Sequence, residues 1–376
     1  MTDVLIYADS MHDAAMRHEV PVPVPDPFLY IERNGDRHAV VTAFEVSRLE
    51  PVGIKAHPYE EFGYDELLGQ GLPRHEVLVQ TMENAVEQLG VKEAVVPPFF
   101  PLGLADRLRA KGVELTPDRE FFSERRRVKN ETELEGIRKA QRGTEAAMGA
   151  AREMLRAAEA SNGTVTLDGE PLTSERIKTR IIEVFNEHNL ASDEMIVAIG
   201  GQAASGHDMG SGPIAPGQAI VIDLFPRDLQ TGCYADMTRT FVVGEIPDEL
   251  AEYHRLVHEA LMKSIEAVKA GAQGREVYEL VCDVFHEAGH PTQLSKQPGE
   301  VLVSGFFHGL GHGVGLEVHE PPWLSRDPSQ LVAGDVITLE PGLYREGFGG
   351  VRLEDLVLVT DDGAENLTDF PYDLKP

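Results

Sequence analysis

The stretch Phe306–Pro322, FFHGLGHGVGLEVHEPP, sets His308, His312 and His319 among glycines, with Glu317 and Glu320 as its only acids and no Lys or Arg. Imidazole binds transition metals and moves protons near neutral pH, and glycine lets a backbone come close to an ion or substrate. The plain alternative is a Gly-rich turn leading into a half-buried strand through Val314, Leu316 and Val318. Acids on either side of the stretch weigh against it. Upstream, Asp223 ends the apolar run AIVIDL and Asp236 opens another 13 residues later; downstream, Glu340 ends VITLE and Glu354 sits in VRLEDLVLV, 14 residues on. Each half reads as a hairpin with a long loop, setting an acid on both strands and bringing the two close where the strands pair.

Acids inside strands this apolar are costly unless they are paired or bound to a cation. Four carboxylates neutralise two divalent cations. A single zinc more typically takes three or four N/S ligands, whereas an oxygen-rich set with one imidazole suits a two-ion site of Mn²⁺, Co²⁺, Fe²⁺ or Zn²⁺ type. Taken one at a time, each acid is better explained by a surface place on an edge strand. The mirrored spacing of all four is what argues for metal.

The elements that must hold these groups follow from periodicity. Residues 1–122 alternate strands (Val4–Tyr7, Phe28–Glu32, His38–Ala43, Ala94–Val96) with helices (Arg74–Leu89, Leu102–Ala110) that stop at Gly90 and Gly112. This stretch has no Gly-rich phosphate loop and no cluster of potential ligands, so its expected role is structural or substrate-limiting. The basic island Phe121–Asn130, FFSERRRVKN, leads into a helix from Glu131 to about Ala160 and marks the expected boundary between domains 1–122 and 123–376. Its Arg125, Arg126, Arg127 and Lys129 read as a salt network or a solvated helix entry. Beyond it come a turn-rich interruption at Ser161–Pro171, a helix at Ser174–His188, and strands at Met195–Ile199, Ala219–Leu224 and Tyr234–Val243. Helices at Pro247–Ala270 and Gly274–Ala288 and strands at Val336–Glu340 and Val351–Val359 complete it. Strands in pairs and helices in pairs predict an α+β domain rather than a regular βαβ alternation.

Composition bounds the partners. With 376 residues the chain is long for one domain, and 42% hydrophobic content is that of a folded protein. Asp plus Glu number 63 against 34 Lys plus Arg, a formal net charge of −29. Such a surface repels nucleic acid and anionic membrane, so neither is an expected partner. The acid is spread along the chain, and Arg outnumbers Lys more than two to one, a balance compatible with a high-salt cytoplasm. Cys233 and Cys282 are the only cysteines, which fits a reducing compartment. The N-terminal segment lacks a basic region followed by a long apolar core, and no run reaches 18 apolar residues. The expected location is cytoplasmic.

The order of motifs GHDMGSG, VIDLFPRD, YADMTRT, GLGHGVGLEVHE, TLEPG and VRLED resembles the pita-bread metallopeptidases, in their Xaa-Pro branch of aminopeptidase P and prolidase. The resemblance covers roughly residues 124–370. Residues 1–122 are similar, by layout and by the RRVKNETELEGIRKA entry, to the creatinase-type N-terminal α/β domain of that branch. It implies an α+β fold in which this smaller domain precedes the pita-bread catalytic domain. It also implies two divalent metal ions, Mn²⁺ foremost with Co²⁺, Zn²⁺ or Fe²⁺ as alternatives. Asp223 would hold one ion, Asp236 would bridge both, and His312 and Glu340 would complete the second, with Glu354 bridging from the far hairpin. A metal-bridging hydroxide would attack the carbonyl before a proline nitrogen in a proline-containing peptide. Glu340 would be the general base, His319 and His207 would hold the scissile carbonyl and its oxyanion, and His308 would shape the proline pocket or relay a proton. Arg352 would orient a ligand carboxylate, and Thr238 would do the same for Asp236. The relatives also imply a homodimer.

Two departures bear on specificity. Leu224, Phe225 and Pro226 follow Asp223 where many relatives have a small residue. Trp323 stands where some prolidases place an Arg that grips a dipeptide's carboxylate, which favours longer peptides unless Arg326 or Arg345 substitutes. Two other readings stay open: a metal-dependent C–N hydrolase of a small non-peptide solute, and a silent binding module on the same fold.

Overall fold

The computed structural model describes residues 2–161 and 163–376. Met1, within the expected first domain, and Asn162, within the expected turn-rich interruption, lie outside the described residues. The chain divides into two compact units, Met1–Arg126 and Arg127–Pro376.

The first unit is built on one six-stranded sheet. Its strands are β1 (Val4–Ala8), β2 (Phe28–Arg33), β3 (Asp36–Val41), β4 (Lys55–Pro58), β5 (Glu93–Val96) and β6 (Glu114–Pro117), in the order β4-β3-β2-β1-β5-β6. Both faces are covered. Leu5, Leu29, Ile31 and Val40 face one apolar cluster, while Val4, Ile6, Phe28, Tyr30 and Val41 face another, so VLI and FLYI read as continuous apolar runs rather than alternating ones. The helices Arg74–Gln88 and Leu102–Ala110 lie within a residue of their expected bounds. In the basic island, Arg125 pairs with Glu19 at 2.7 Å and with Glu32 at 2.6 Å, inside this unit.

The second unit opens on the helix Glu131–Ala157. Asn130 caps it, with Glu133 completing a capping box, and Ile137, Ala140, Ala147, Met148, Ala151 and Leu155 form its buried face. Arg127 and Lys129, just ahead of the cap, form ion pairs with the buried Asp335 and Glu320. The stretch expected as a turn-rich interruption is a small meander: β7 (Glu159–Ser161), β8 (Thr164–Leu167) and β9 (Glu170–Pro171). After the helix Ser174–Glu187, β10 (Leu190–Ala191) pairs with β13 (Arg227–Asp228). A separate antiparallel sheet contains β11 (Ile196–Ile199), β12 (Ala219–Leu224) and β14 (Met237–Val242). The helices Asp248–Ala267 and Gly274–Glu287 cover a core that includes Val242, Leu310, Leu339 and Val357.

The histidine stretch feeds a five-stranded sheet of β15 (Gly311–Gly313), β16 (Glu320–Leu324), β17 (Val336–Leu339), β20 (Asp355–Val359) and β21 (Ala364–Asn366), in the order β16-β15-β17-β20-β21. Between β17 and β20 lies a two-stranded ribbon, β18 (Gly342–Arg345) with β19 (Gly349–Arg352). The single strand expected over Val351–Val359 is therefore two, interrupted at Leu353–Glu354. No strand runs through Val314, Leu316 and Val318; the stretch instead contains β15 around His312 and the start of β16 at Glu320.

The glycines of that stretch also serve differently from expectation. A Cβ on Gly311 would lie 2.0 Å from the Thr338 carbonyl oxygen, and one on Gly313 would lie 2.3 Å from that of Pro321. They let β15 pack between two backbones; the close approach is strand to strand. Gly311→Ala forces β15 away from β17 and is expected to cost about 1–3 kcal/mol, read from urea denaturation. An unchanged midpoint would show that the close approach is not needed.

Candidate metal centre

Each candidate ligand sits where a β-ladder ends. Asp223 is next to last in β12, paired with Thr238 of β14, and Asp236 immediately precedes β14. The last pair joining β17 and β20 is Leu339 with Asp355, so Glu340 and Glu354 lie just beyond it on the two chains. At a ladder end a carboxylate can leave the apolar sheet surface while its backbone stays anchored. The Glu340 N–H donates to the Leu310 carbonyl at 2.7 Å, and the Glu354 N–H to the Thr238 carbonyl at 3.1 Å. His312 is on β15 at a register shift between itself and Gly313, a bulge that re-aims a side chain.

Asp236, His312 and Glu354, all buried, offer ligand atoms within 4.8 Å of one another. His312 Nε2 is 3.8 Å from Asp236 Oδ2 and 3.8 Å from Glu340 Oε1. Its Nδ1 donates to the Gly313 carbonyl at 3.1 Å, which leaves the lone pair on Nε2, facing the carboxylates. Burial, then the nearby His319, pulls His312 down to about 3, so the ring is neutral and able to ligate.

Asp223 stands apart from that trio, held by Arg352 Nη2 at 2.6 Å. Arg352 organises the rest. A guanidinium only donates, so each hydroxyl it meets must pass its own proton onward. Arg352 Nε donates to Thr238 Oγ1 at 3.2 Å, and Thr238 donates to Glu354 Oε2 at 2.7 Å. Arg352 Nη1 donates to the Tyr344 hydroxyl at 3.1 Å, and Tyr344 donates to His308 Nε2 at 2.9 Å. His308 in turn gives its Nδ1 proton to the Gly309 carbonyl at 2.7 Å. Burial, then the charge of Arg352, lowers His308 to about 3. Thr238 thus orients Glu354, whereas the expectation gave it to Asp236: the carboxylate to which the Thr238 hydroxyl donates is that of Glu354, from the far hairpin.

The electrostatics ask for a cation. Burial, then Glu354, Asp223 and Glu340, raises Asp236 well above the usual carboxylate range. Burial, then Asp223 and Glu340, does the same to Glu354. Glu340 is pushed up to about 7 by burial, with Arg352 pulling it down and Asp223 pushing it up. Asp223 Oδ1 and Asp236 Oδ1 are buried with no hydrogen-bond partner among the described residues. An unmet buried acceptor costs about 1–3 kcal/mol. A divalent ion would meet both oxygens, and carboxylate oxygens with one imidazole suit the first-row metals.

His319 is exposed, its ring 4.3 Å from that of His312, and Asp223 and His207 both act on it electrostatically. His207 is exposed in the loop before β12. Beside His308 opens a cavity of about 360 Å³ lined by Tyr278, Gln293, Phe307 and Arg326 among others. Arg345 is committed elsewhere, to Glu249 at 2.7 Å on the surface. Trp323 is exposed on β16, opposite His312. Tyr344 is the link between Arg352 and His308. Its bridging place follows from the β18–β19 ribbon, whose register pairs Gly342 with Arg352 and so puts Tyr344 diagonally across from Arg352 on one face.

The sequence matches the profile of Metallopeptidase family M24 over residues 135–361. A Xaa-Pro dipeptidase of Pyrococcus horikoshii is 32% identical over 283 residues, 74% of each chain. Among solved structures, the prolidase from Pyrococcus furiosus aligns with a TM-score of 0.76 at 23% identity, covering 99% of this chain and 97% of that one. The X-Pro aminopeptidase from Thermotoga maritima gives 0.78 at 23% identity over 98% and 96%. Their fold, a pita-bread domain preceded by a smaller α/β domain, is the one expected from the motifs. On these matches the chain belongs to metallopeptidase family M24.

Proposed function

We propose that the protein hydrolyses the bond between an N-terminal residue and a following proline, using two divalent metal ions, Mn²⁺ foremost, held by Asp223, Asp236, His312, Glu340 and Glu354. The observation that carries this reading is the pair of unmet carboxylate oxygens, Asp223 Oδ1 and Asp236 Oδ1, beside the imidazole lone pair of His312. The Xaa-Pro dipeptidase relative supplies the substrate class. Bound there, divalent ions supply Lewis acidity and lower the pKa of water toward neutrality.

The chain's own groups do the rest. Glu340 is the most open of the four carboxylates, its side chain 21% exposed, and is the group placed to take a proton from the attacking water and return it to the departing proline nitrogen. His319, acted on electrostatically by Asp223 and by His207, holds together with His207 the carbonyl oxygen as negative charge grows on it. His308 has one ring nitrogen committed to Gly309 and the other to Tyr344, which favours shaping the pocket over relaying a proton. The cavity beyond it, walled by Phe307 and Tyr278, receives the proline side. A proline nitrogen carries no N–H, so that wall need offer no acceptor to it.

We carry the first unit as a creatinase-type N-terminal domain with a structural or substrate-limiting role, and the whole as a cytoplasmic homodimer. Among the described residues, no helix is long and apolar enough to cross a membrane.

Three outcomes are expected. Chelation abolishes hydrolysis and lowers Tm, because an ion bound only by the folded site stabilises it, and Mn²⁺, Co²⁺ or Zn²⁺ restores both. The reloaded enzyme cleaves Ala-Pro and Ala-Pro-Ala but leaves Ala-Ala-Ala intact. Equal cleavage of all three would sink the proline reading, and no cleavage with any metal would favour a non-peptide solute or a silent module. Glu340→Gln lowers kcat by roughly 10²–10⁴-fold with an unchanged circular dichroism spectrum. Normal turnover would remove Glu340 from the mechanism.

A further inference from the structure

Arg239 is the largest side chain buried almost completely, 1% exposed, and it touches no candidate ligand's carboxylate. A guanidinium has five N–H groups, and all five are used. Nε donates to the Pro371 carbonyl at 3.0 Å. Nη1 donates to the Thr238 carbonyl at 2.9 Å and to the Glu354 carbonyl at 2.7 Å. Nη2 donates to Asp355 Oδ1 at 2.9 Å and to the Phe370 carbonyl at 2.9 Å. The other Asp355 oxygen accepts from Asn366 Nδ2 at 2.7 Å and from the Tyr372 hydroxyl at 2.5 Å. The Tyr372 ring also lies 4.6 Å from the guanidinium.

The acceptors fall into two groups. Thr238, Glu354 and Asp355 belong to the hairpin ends that carry the candidate ligands, while Phe370, Pro371 and Tyr372 belong to one later segment. That segment is anchored independently: His254 Nε2 lies 2.6 Å from the Tyr372 carbonyl oxygen, and the Val242 N–H donates to the Leu374 carbonyl at 2.8 Å. Glu354 has little else to hold it. It sits in the interruption between β19 and β20, outside any ladder. Its N–H, its carbonyl and one carboxylate oxygen are all satisfied by the dipeptide Thr238–Arg239.

We propose that residues 368–374 act through Arg239 as a clasp that positions Glu354, so that metal affinity depends on a segment contributing no ligand. Arg239 is a positioning residue here, and Asp355 and Tyr372 set its orientation. The proposal rests on Glu354 being a metal ligand. It separates the two hydroxyl-bearing groups nearby: Thr238 aims the Glu354 carboxylate, and the clasp fixes the backbone from which that carboxylate projects.

The test measures free Mn²⁺ by its aqueous electron paramagnetic resonance signal during titration of the metal-free full chain, with Tm of the metal-free form measured in parallel. Arg239→Lys keeps the charge but cuts five donors to three and loses the planar fork that reaches both groups of acceptors, and Tyr372→Phe removes one hydroxyl from a half-buried ring, so the second keeps the proposal testable if the first fails to fold. Supporting groups of metal ligands typically govern 10–100-fold in affinity. We expect about tenfold or greater weakening for Arg239→Lys and several-fold for Tyr372→Phe, with kcat at saturating metal changing less than affinity. A lowered Tm with unchanged Mn²⁺ affinity in both variants makes the clasp merely structural and overturns the proposal. Glu354→Gln separates the two levels: if it leaves Mn²⁺ affinity unchanged, the ligand assignment falls and the clasp with it. If only Glu354→Gln weakens binding, the clasp alone falls.

Discussion

Asp223, Asp236, Glu340 and Glu354 share their surroundings with one guanidinium, Arg352, and the rest of the second unit is arranged around that imbalance. Arg352 ties down Asp223 and, through Thr238, Glu354, but two buried carboxylate oxygens still have no hydrogen-bond partner among the described residues. Removing one partner of a buried charged set leaves the others uncompensated, so such a group is all or nothing. A divalent cation would meet the unmet oxygens and offset the excess negative charge at once.

The sheets deliver this arrangement by ending. β12 with β14 and β17 with β20 supply rigid backbones whose last pairs stop beside the acids, and the bulge at His312 turns one imidazole toward them. Gly311 and Gly313 let β15 close onto its neighbours without side-chain bulk. Function thus needs both the regular ladders and their interruptions. A continuous strand through Glu354 would give its carbonyl a ladder partner and free Arg239 from it.

Much of this was legible. Apolar runs broken by single acids at matched spacing marked the hairpins, and the long helices could be placed from apolar period and glycine stops. What was not legible involves partners distant in sequence or conformations without a propensity signal. Thr238 was assigned to Asp236, two residues away, because its true partner Glu354 lies 116 residues on. Of the ribbon that carries Tyr344 only Val351 and Arg352 read as strand, since GLYREGFGG has too many glycines to do so. Arg239 could not have been read at all. Four of its five acceptors are main-chain carbonyls, which have no residue identity, and at position 239 it looks like any charged residue in TRT.

The distribution of the acids along the chain has a consequence in time. Synthesis brings out Asp223 and Asp236 more than a hundred residues before Glu354, an interval on the order of ten seconds at roughly 5–20 residues per second. During that interval β12 and β14 carry adjacent carboxylates with neither Arg352 nor Arg239's later acceptors yet made. The first hairpin must therefore stay open, or hold its acids protonated or hydrated, until the second arrives. Closure of the centre therefore waits on the last of its acids to be made.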